Sequence, residues 1–303
     1  MEKVKIKIIY GGNSSEREIS KLTGISVFNA LEGLYDVELI DVVGSIENYL
    51  FKLKKADLIF NALHGGEGEN GIIQSFLEKN KIKFTGSNSY SSSIAINKHL
   101  TKRVAKSNGI STPNWLLSKL TKFEENIDDI KKLKLPLVIK PVDEGSTMGL
   151  RVVENYNEIK NAFLYASKYS DNVIIEEFIS GREMTVGILG DNCLPILEII
   201  PKNKLYDYES KYTQGMSKYI CPVKLNDVIK EKMQRDAIKI HKLLGCRHYS
   251  RVDFRVSENN QYSLLEINTL PGMTKTSLLP KAAKANNIPF EELIKKIIEM
   301  AIK

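Results

Sequence analysis

The segment "KVKIKII", residues 3–9, alternates charged and apolar side chains with the two-residue period of a strand. "SEREISKLTGISVFNALEGL" then carries apolar residues at helical spacing, with Ser15 or Ser14 as the expected cap. "YDVELIDV", "ADLIFNALHGG" and "IKFTG" supply three further strands. Short strands separated by helices predict an α/β opening domain with a mostly parallel sheet, and such sheets bind ligands beyond the carboxyl ends of their strands. The loops "YGGNSSERE" and "HGGEGENG" fall at that edge.

A second block starts near Asn88. "NKHLTKRVAKSNGIST" predicts a helix capped near Asn97 and ended by Gly109, and "LPLVIKPVDEGSTMGLRVV" reads as strand, glycine-bearing loop and strand. Lys140 closes an apolar strand, while "EGSTMG" offers backbone N–H groups and hydroxyls on a chain able to approach a polyphosphate closely. A phosphate clamp and an ordinary strand-end lysine are both open at this point. "NVIIEEFISGREMTVGIL" gives two β-rich runs around a turn at Ser180 and Gly181, with Glu176, Glu177 and Glu183 placed to accept hydrogen bonds.

The third block is a hairpin. In "RVDFRV" the residues Val252, Phe254 and Val256 form one face and Arg251, Asp253 and Arg255 the other. In "LLEIN" the alternation puts Leu265 and Ile267 on one face and Glu266 and Asn268 on the other, with "SENNQ" as the turn. Two carboxylates and an amide oxygen are hard ligands that suit Mg²⁺, which takes few protein ligands because it keeps waters and substrate phosphates. A half-solvated hairpin is the competing reading.

The chain has 303 residues with 42% hydrophobic content, enough for two or three domains. Its apolar runs are too short for a membrane span, and "MEKVKIKIIYGG" lacks a signal-peptide core, so no membrane association and a cytoplasmic location are expected. The net charge of +7 comes from lysines interleaved with acidic residues, without the aromatic-spaced basic tract of a nucleic-acid binder. A modest positive excess suits a phosphorylated small molecule instead. Cys193, Cys221 and Cys246 are few and far apart, which argues against disulfides or zinc. Neither G-x-G-x-x-G nor G-x-x-x-x-G-K-[ST] occurs, so a nucleotide would be held another way.

Taken in order, "GGNSSEREIS", "HGGEGENG", "VIKPVDEGSTMG", "EEFISGREMTVG", "YDYESKY", "RVDFRV" and "EINTLPGMTKTSLLP" resemble the D-alanine–D-alanine ligases of the ATP-grasp superfamily, across essentially the whole chain. The resemblance implies an ATP-grasp fold of three subdomains: a Rossmann-like substrate domain at 1–87, a central lobe at 88–180 and a C-terminal lobe at 181–303. It implies ligation of two D-alanines with ATP through an acyl-phosphate, with Mg²⁺ or Mn²⁺, one or two ions, and a homodimer.

By the same match, Lys98, Lys140 and Lys211 contact ATP phosphates, Glu176, Glu177 and Ile179 lie at the adenine pocket, and Glu183 holds the ribose. Asp253, Glu266 and Asn268 are the implied metal ligands. Arg251 and the Gly272 backbone N–H would stabilise developing negative charge. Glu16 would pair with the ammonium of the first D-alanine, and Ser277 and Leu278 would hold the carboxylate of the second. His64 would lie near that second substrate, where a histidine can change charge near neutral pH. "LYDYESKYTQG" reads as a lid that excludes water, with Tyr212 linked to Glu16 and Ser146. Asn70 departs from the match, which has an acidic residue there. Another ATP-grasp ligase would keep Lys140 and the hairpin while changing "EREIS" and "YESKY"; a degenerate nucleotide-binding regulator would lose a metal ligand or Arg251, and none is lost.

Overall fold

The structure, a computed structural model, describes residues 3–202, 213 and 215–303. Lys211 and Tyr212 lie outside the described residues. Three strands, β1 (Lys5–Gly11), β2 (Asp36–Val42) and β3 (Leu58–Asn61), form a parallel sheet in the order β2-β1-β3. The predicted strand "IKFTG" contributes only one isolated bridge, Ile59 to Phe84. The helix Arg17–Leu31 follows β1, and its cap position is Glu16 rather than Ser14 or Ser15. The Ser14 hydroxyl instead accepts the Glu16 N–H at 3.1 Å and donates to the His64 carbonyl at 2.5 Å, so it ties the first loop to the second. Glu16 is thereby fixed at a helix N-terminus that faces the second loop.

A four-stranded antiparallel sheet contains β4 (Trp115–Lys119), β5 (Leu137–Pro141), β6 (Arg151–Val153) and β7 (Asn172–Glu177), ordered β4-β7-β5-β6. The third sheet comprises β8 (Arg182–Leu189), β9 (Asn192–Cys193), β10 (Leu197–Pro201), β11 (Ser217–Ile220), β12 (Tyr249–Val256) and β13 (Tyr262–Asn268). Its order is β11-β10-β8-β12-β13, with β9 paired to β8. The chain crosses between these two sheets at residues 178–181. Gly181 sits there with φ +127°, and a Cβ would lie 2.1 Å from the Val256 carbonyl, so a side chain would wedge the crossing off β12.

The four-stranded sheet has a core of its own, whereas the first and third sheets share a cluster in which Ile6, Ile8 and Leu58 join Leu189 and Tyr249. Helix Ile159–Ala166 covers the four-stranded sheet through Ile159, Ala162, Phe163 and Ala166. Helices Lys98–Ser107 and Asp227–Leu243 add Ala105, Met233, Ala237 and Ile240 to the core of the third sheet. The last helix, Phe290–Ile302, returns to the first sheet and places Leu293, Ile294, Ile297 and Ile298 against Ile6, Ile8 and Leu58. Among the described residues no helix is long and apolar enough to cross a membrane.

Candidate active site

The hairpin of β12 and β13 keeps the predicted polar face with one change. Arg251 pairs in register with Asn268, and Asp253 with Glu266, so all four side chains share one face. A β-bulge after Asp253 sets Phe254 opposite Leu264 rather than Leu265. The extra residue moves Leu265 out of the row expected from simple alternation: Leu264 and Ile267 are buried, while Leu265 lines the cleft beside Glu266.

Two clefts open along this face. The first, about 120 Å³, lies between the four-stranded and third sheets. Lys140, Glu176, Glu177, Ile179, Glu183 and Asp253 line it. The second, about 230 Å³, lies toward the first sheet and is lined by Glu16, His64, Asn268, Gly272, Ser277 and Leu278. Lys98, Ser146, Arg251 and Glu266 line both, so the clefts join at these side chains. Every described residue singled out for the site lines one cleft or both.

Within the first cleft the charges are tightly paired. Lys98 donates to the Glu144 carbonyl at 2.6 Å and lies 3.5 Å from Glu266. Burial pulls its pKa below the ordinary lysine value, with Glu266 opposing the shift. Lys140 is buried, not an exposed strand end, and meets one oxygen of Glu176 at 2.5 Å. The other Glu176 oxygen lies 2.8 Å from Lys102. Burial raises the Glu176 carboxyl, but the two lysines outweigh it and bring the pKa down to about 2. The Glu177 carboxylate accepts from the Asn114 amide and the Lys134 N–H, both at 3.0 Å.

Asp253 receives Arg251 bidentately at 2.9 and 2.8 Å and the Thr185 hydroxyl at 2.6 Å. The Asn268 amide oxygen accepts the Leu270 N–H at 2.8 Å. Among the described residues no three histidine, cysteine or carboxylate side chains are grouped as a metal centre. What the hairpin offers is two carboxylates opposite one another and an amide oxygen two pairs along, on the same face. That hard-oxygen set fits Mg²⁺ bound jointly with phosphates, and does not fit zinc.

In the second cleft Ser146 donates to Glu16 at 2.5 Å, joining the glycine-bearing loop to the first helix. Ser146 and Thr147 hold positive φ of +48° and +65°, a strained pair of non-glycine residues at a cleft edge. His64 contacts the Thr23 hydroxyl at 2.9 Å through Nε2 and Glu69 at 3.6 Å through Nδ1. Ser277 begins the helix Leu278–Ala285, whose N-terminus faces the cleft and suits a carboxylate. Asn70 lines neither cleft; its side-chain oxygen accepts the Ile72 N–H at 3.1 Å. Burial pushes the three thiols up, Cys193 to about 12 and Cys221 and Cys246 to about 11, leaving them poor nucleophiles.

Sequence reasoning passed over Lys102, Arg255 and Glu69. Lys102 stands one turn after Lys98, and that spacing is the signal that both lysines share an inward face. Arg255 lay on the polar face of the hairpin but was given no task; it donates to the Ile179 and Gly181 carbonyls at 3.0 and 2.9 Å.

Two antiparallel sheets enclosing a lysine-lined cleft, with a carboxylate hairpin along it, define an ATP-grasp ligase. The family model described as "D-ala D-ala ligase C-terminus" matches residues 104–299, and a D-alanine--D-alanine ligase of Aquifex aeolicus is 43% identical over 97% of this chain and 100% of its own length. The chain belongs to the D-alanine–D-alanine ligase family. A relative of the same name from Carboxydothermus hydrogenoformans is 42% identical over 99% of both chains. The D-alanine--D-alanine ligase of Bacillus anthracis complexed with ATP superposes with TM-score 0.88 at 33% identity, covering 99% of this chain and 97% of that one. The VanG D-Ala:D-Ser ligase from Enterococcus faecalis gives TM-score 0.85 at 27% identity, with coverage of 99% and 100%.

Proposed function

We propose that the protein joins two D-alanines into D-alanyl-D-alanine at the expense of ATP, supplying a dipeptide for peptidoglycan precursors. The observation that carries this is the confluence of the two clefts at Lys98, Arg251 and Glu266. A phosphoryl donor in the first cleft and a carboxylate in the second would meet there. A carboxylate is a poor electrophile, and phosphorylation converts its oxygen into a leaving group. One oxygen of the first D-alanine takes the γ-phosphoryl group and ADP leaves; the amine of the second D-alanine then attacks the acyl carbon and phosphate leaves.

The chain's own groups meet the charge demands of both steps. Lys98 and Lys140 hold the phosphates, with Lys211 as a third contact, and Ile179, Glu176, Glu177 and Glu183 surround the base and ribose. Glu16 pairs with the ammonium of the first D-alanine and orients its carboxylate toward Arg251. Arg251 and the Gly272 N–H offset the negative charge that builds on the acyl oxygen. Ser277 and Leu278 hold the second carboxylate at a helix N-terminus, with His64 alongside. Mg²⁺ or Mn²⁺, one or two ions held by Asp253, Glu266 and Asn268, would offset phosphate charge. By the family resemblance Tyr212, which lies outside the described residues, would link with Glu16 and Ser146. The reading divides the chain at 87 and 180, and includes a homodimer working in the cytoplasm.

The test is ATP-dependent phosphate release with Mg²⁺, using D-alanine, L-alanine, D-serine, or D-alanine with D-lactate, and product mass for each. D-alanyl-D-alanine as the main product is the expected result. A mixed product with D-serine or D-lactate in preference to the dipeptide would reassign the second substrate, and no release with D-alanine would overturn the reading.

A further inference from the structure

Lys102 lines neither cleft, yet it is a lysine with 0% side-chain exposure. Its ammonium lies 2.8 Å from Glu176, donates at 2.8 Å to the Thr112 hydroxyl, and sits 5.5 Å from the Trp115 ring. Thr112 in turn donates to the Leu264 carbonyl of β13 at 2.8 Å, so the ammonium is anchored to the hairpin strand. Burying an ion is costly, and an apolar residue of similar volume is often as stable or more so. The charge at this position therefore calls for a task beyond packing. Glu176, 2% exposed, is shared between Lys102 and Lys140, one oxygen to each. Only Lys140 of this trio's two cations reaches the nucleotide cleft.

We propose that Lys102 is a positioning residue for ATP: it takes half of Glu176, fixes that carboxylate, and leaves Lys140 aimed into the cleft with its charge available to phosphate. Without Lys102, the buried carboxylate would have Lys140 as its one strong counter-ion. Lys140 would then be neutralised by Glu176, and a phosphate would have to compete for it in a low-dielectric site. With two lysines to one carboxylate, the trio keeps a net positive charge facing the polyphosphate. This inference rests on the ATP-dependent reading above.

The experiment compares the full-length protein with Lys102→Met and Lys102→Met/Glu176→Gln. ATP affinity is measured by calorimetry with Mg²⁺ and no D-alanine, and the KM values for ATP and D-alanine are measured separately. Lys102→Met raises the ATP Kd and KM tenfold or more, and shifts the D-alanine KM less than twofold. Adding Glu176→Gln recovers at least threefold of the lost ATP affinity, because Lys140 is released from its buried partner; a purely structural lysine would show no such recovery. Unchanged ATP affinity in folded Lys102→Met, or no recovery in the double variant, overturns the proposal while leaving the ligase reading intact. If Lys102→Met does not fold, Lys102→Gln, which keeps a polar reach toward Thr112, must show the same split between the two KM values or the proposal fails. Absence of ATP binding by the unaltered protein removes the ligase reading and this inference with it.

Discussion

Arg255 closes the nucleotide cleft where the chain crosses between sheets, and Arg255→Lys tests how much that closure contributes to ATP binding. The guanidinium side chain is 12% exposed. It donates to Ile179 from Nε and to Gly181 from Nη2, approaches Glu183 at 3.3 Å, and lies 5.2 Å from the Phe178 ring. These contacts hold residues 178–181, of which Phe178 and Ile179 line the cleft and, in the proposed reading, face the base. A lysine ammonium is a single point of donation and cannot span both carbonyls and the carboxylate. Losing two such bonds, each contributing about 1 kcal/mol net, removes about 2 kcal/mol from the ordered wall. ATP binding must then supply that ordering, which predicts a roughly 30-fold rise in the ATP KM. Initial rates at saturating D-alanine give that constant, and a D-alanine titration at saturating ATP gives the control. An ATP KM within twofold of the unaltered protein in a folded variant, or an equal rise for both substrates, would refute the reasoning.

Glu16→Gln removes the charge proposed to meet the first ammonium while keeping an acceptor for Ser146; the D-alanine KM should rise tenfold to a hundredfold with little change for ATP, and equal shifts would count against the assignment. In Gly272→Ala the new Cβ would lie 2.9 Å from the Ser277 hydroxyl, so kcat/KM for D-alanine should fall about tenfold with ATP binding retained; an unaffected rate would mean that Ser277 does not hold the second substrate. His241 is buried, its Nδ1 2.7 Å from the Ser250 hydroxyl, and burial brings its pKa down to about 4, with Asp191 opposing and Lys242 adding to the shift. The unfolded chain takes up this proton from about pH 6.5 and the native state only near 4, so the stability contribution is complete above 6.5 and lost as pH falls through that window. Urea unfolding should show about 2 kcal/mol of this loss by pH 5, and His241→Gln should show a flatter pH dependence; identical slopes would contradict the burial argument.

Much of the site was legible because strand alternation is a local property. The pairs Arg251 with Asn268 and Asp253 with Glu266 follow from period-two patterning on each strand and a turn between them. Leu265 was misplaced because a bulge changes the count by one without a compositional signal in "YSLLEIN". Lys102 was passed over because a helical lysine ordinarily reaches water, and only the partner carboxylate, 74 positions later in the chain at Glu176, gives it a buried place. The docking of the last helix on the first sheet is likewise tertiary: an apolar face on "FEELIKKIIEMAI" predicts burial, not the surface that provides it.

The Glu16–Ser146 bond gives the two clefts a shared element. Glu16 stands at the cap position of the first helix and Ser146 in the loop that follows β5, so one short hydrogen bond connects the proposed ammonium site to the glycine-bearing loop. That loop is held at positive φ in two consecutive non-glycine residues, a conformation costing on the order of 1–3 kcal/mol per residue, and therefore needs tertiary contacts to persist. Glu16 is one such contact. A D-alanine ammonium pairing with Glu16 would draw on the same carboxylate, so substrate arrival and the shape of the phosphate loop are linked through a single group. An exposed acyl-phosphate would hydrolyse, and under the proposed roles this linkage would make the presence of the first amino acid felt at the glycine-bearing loop.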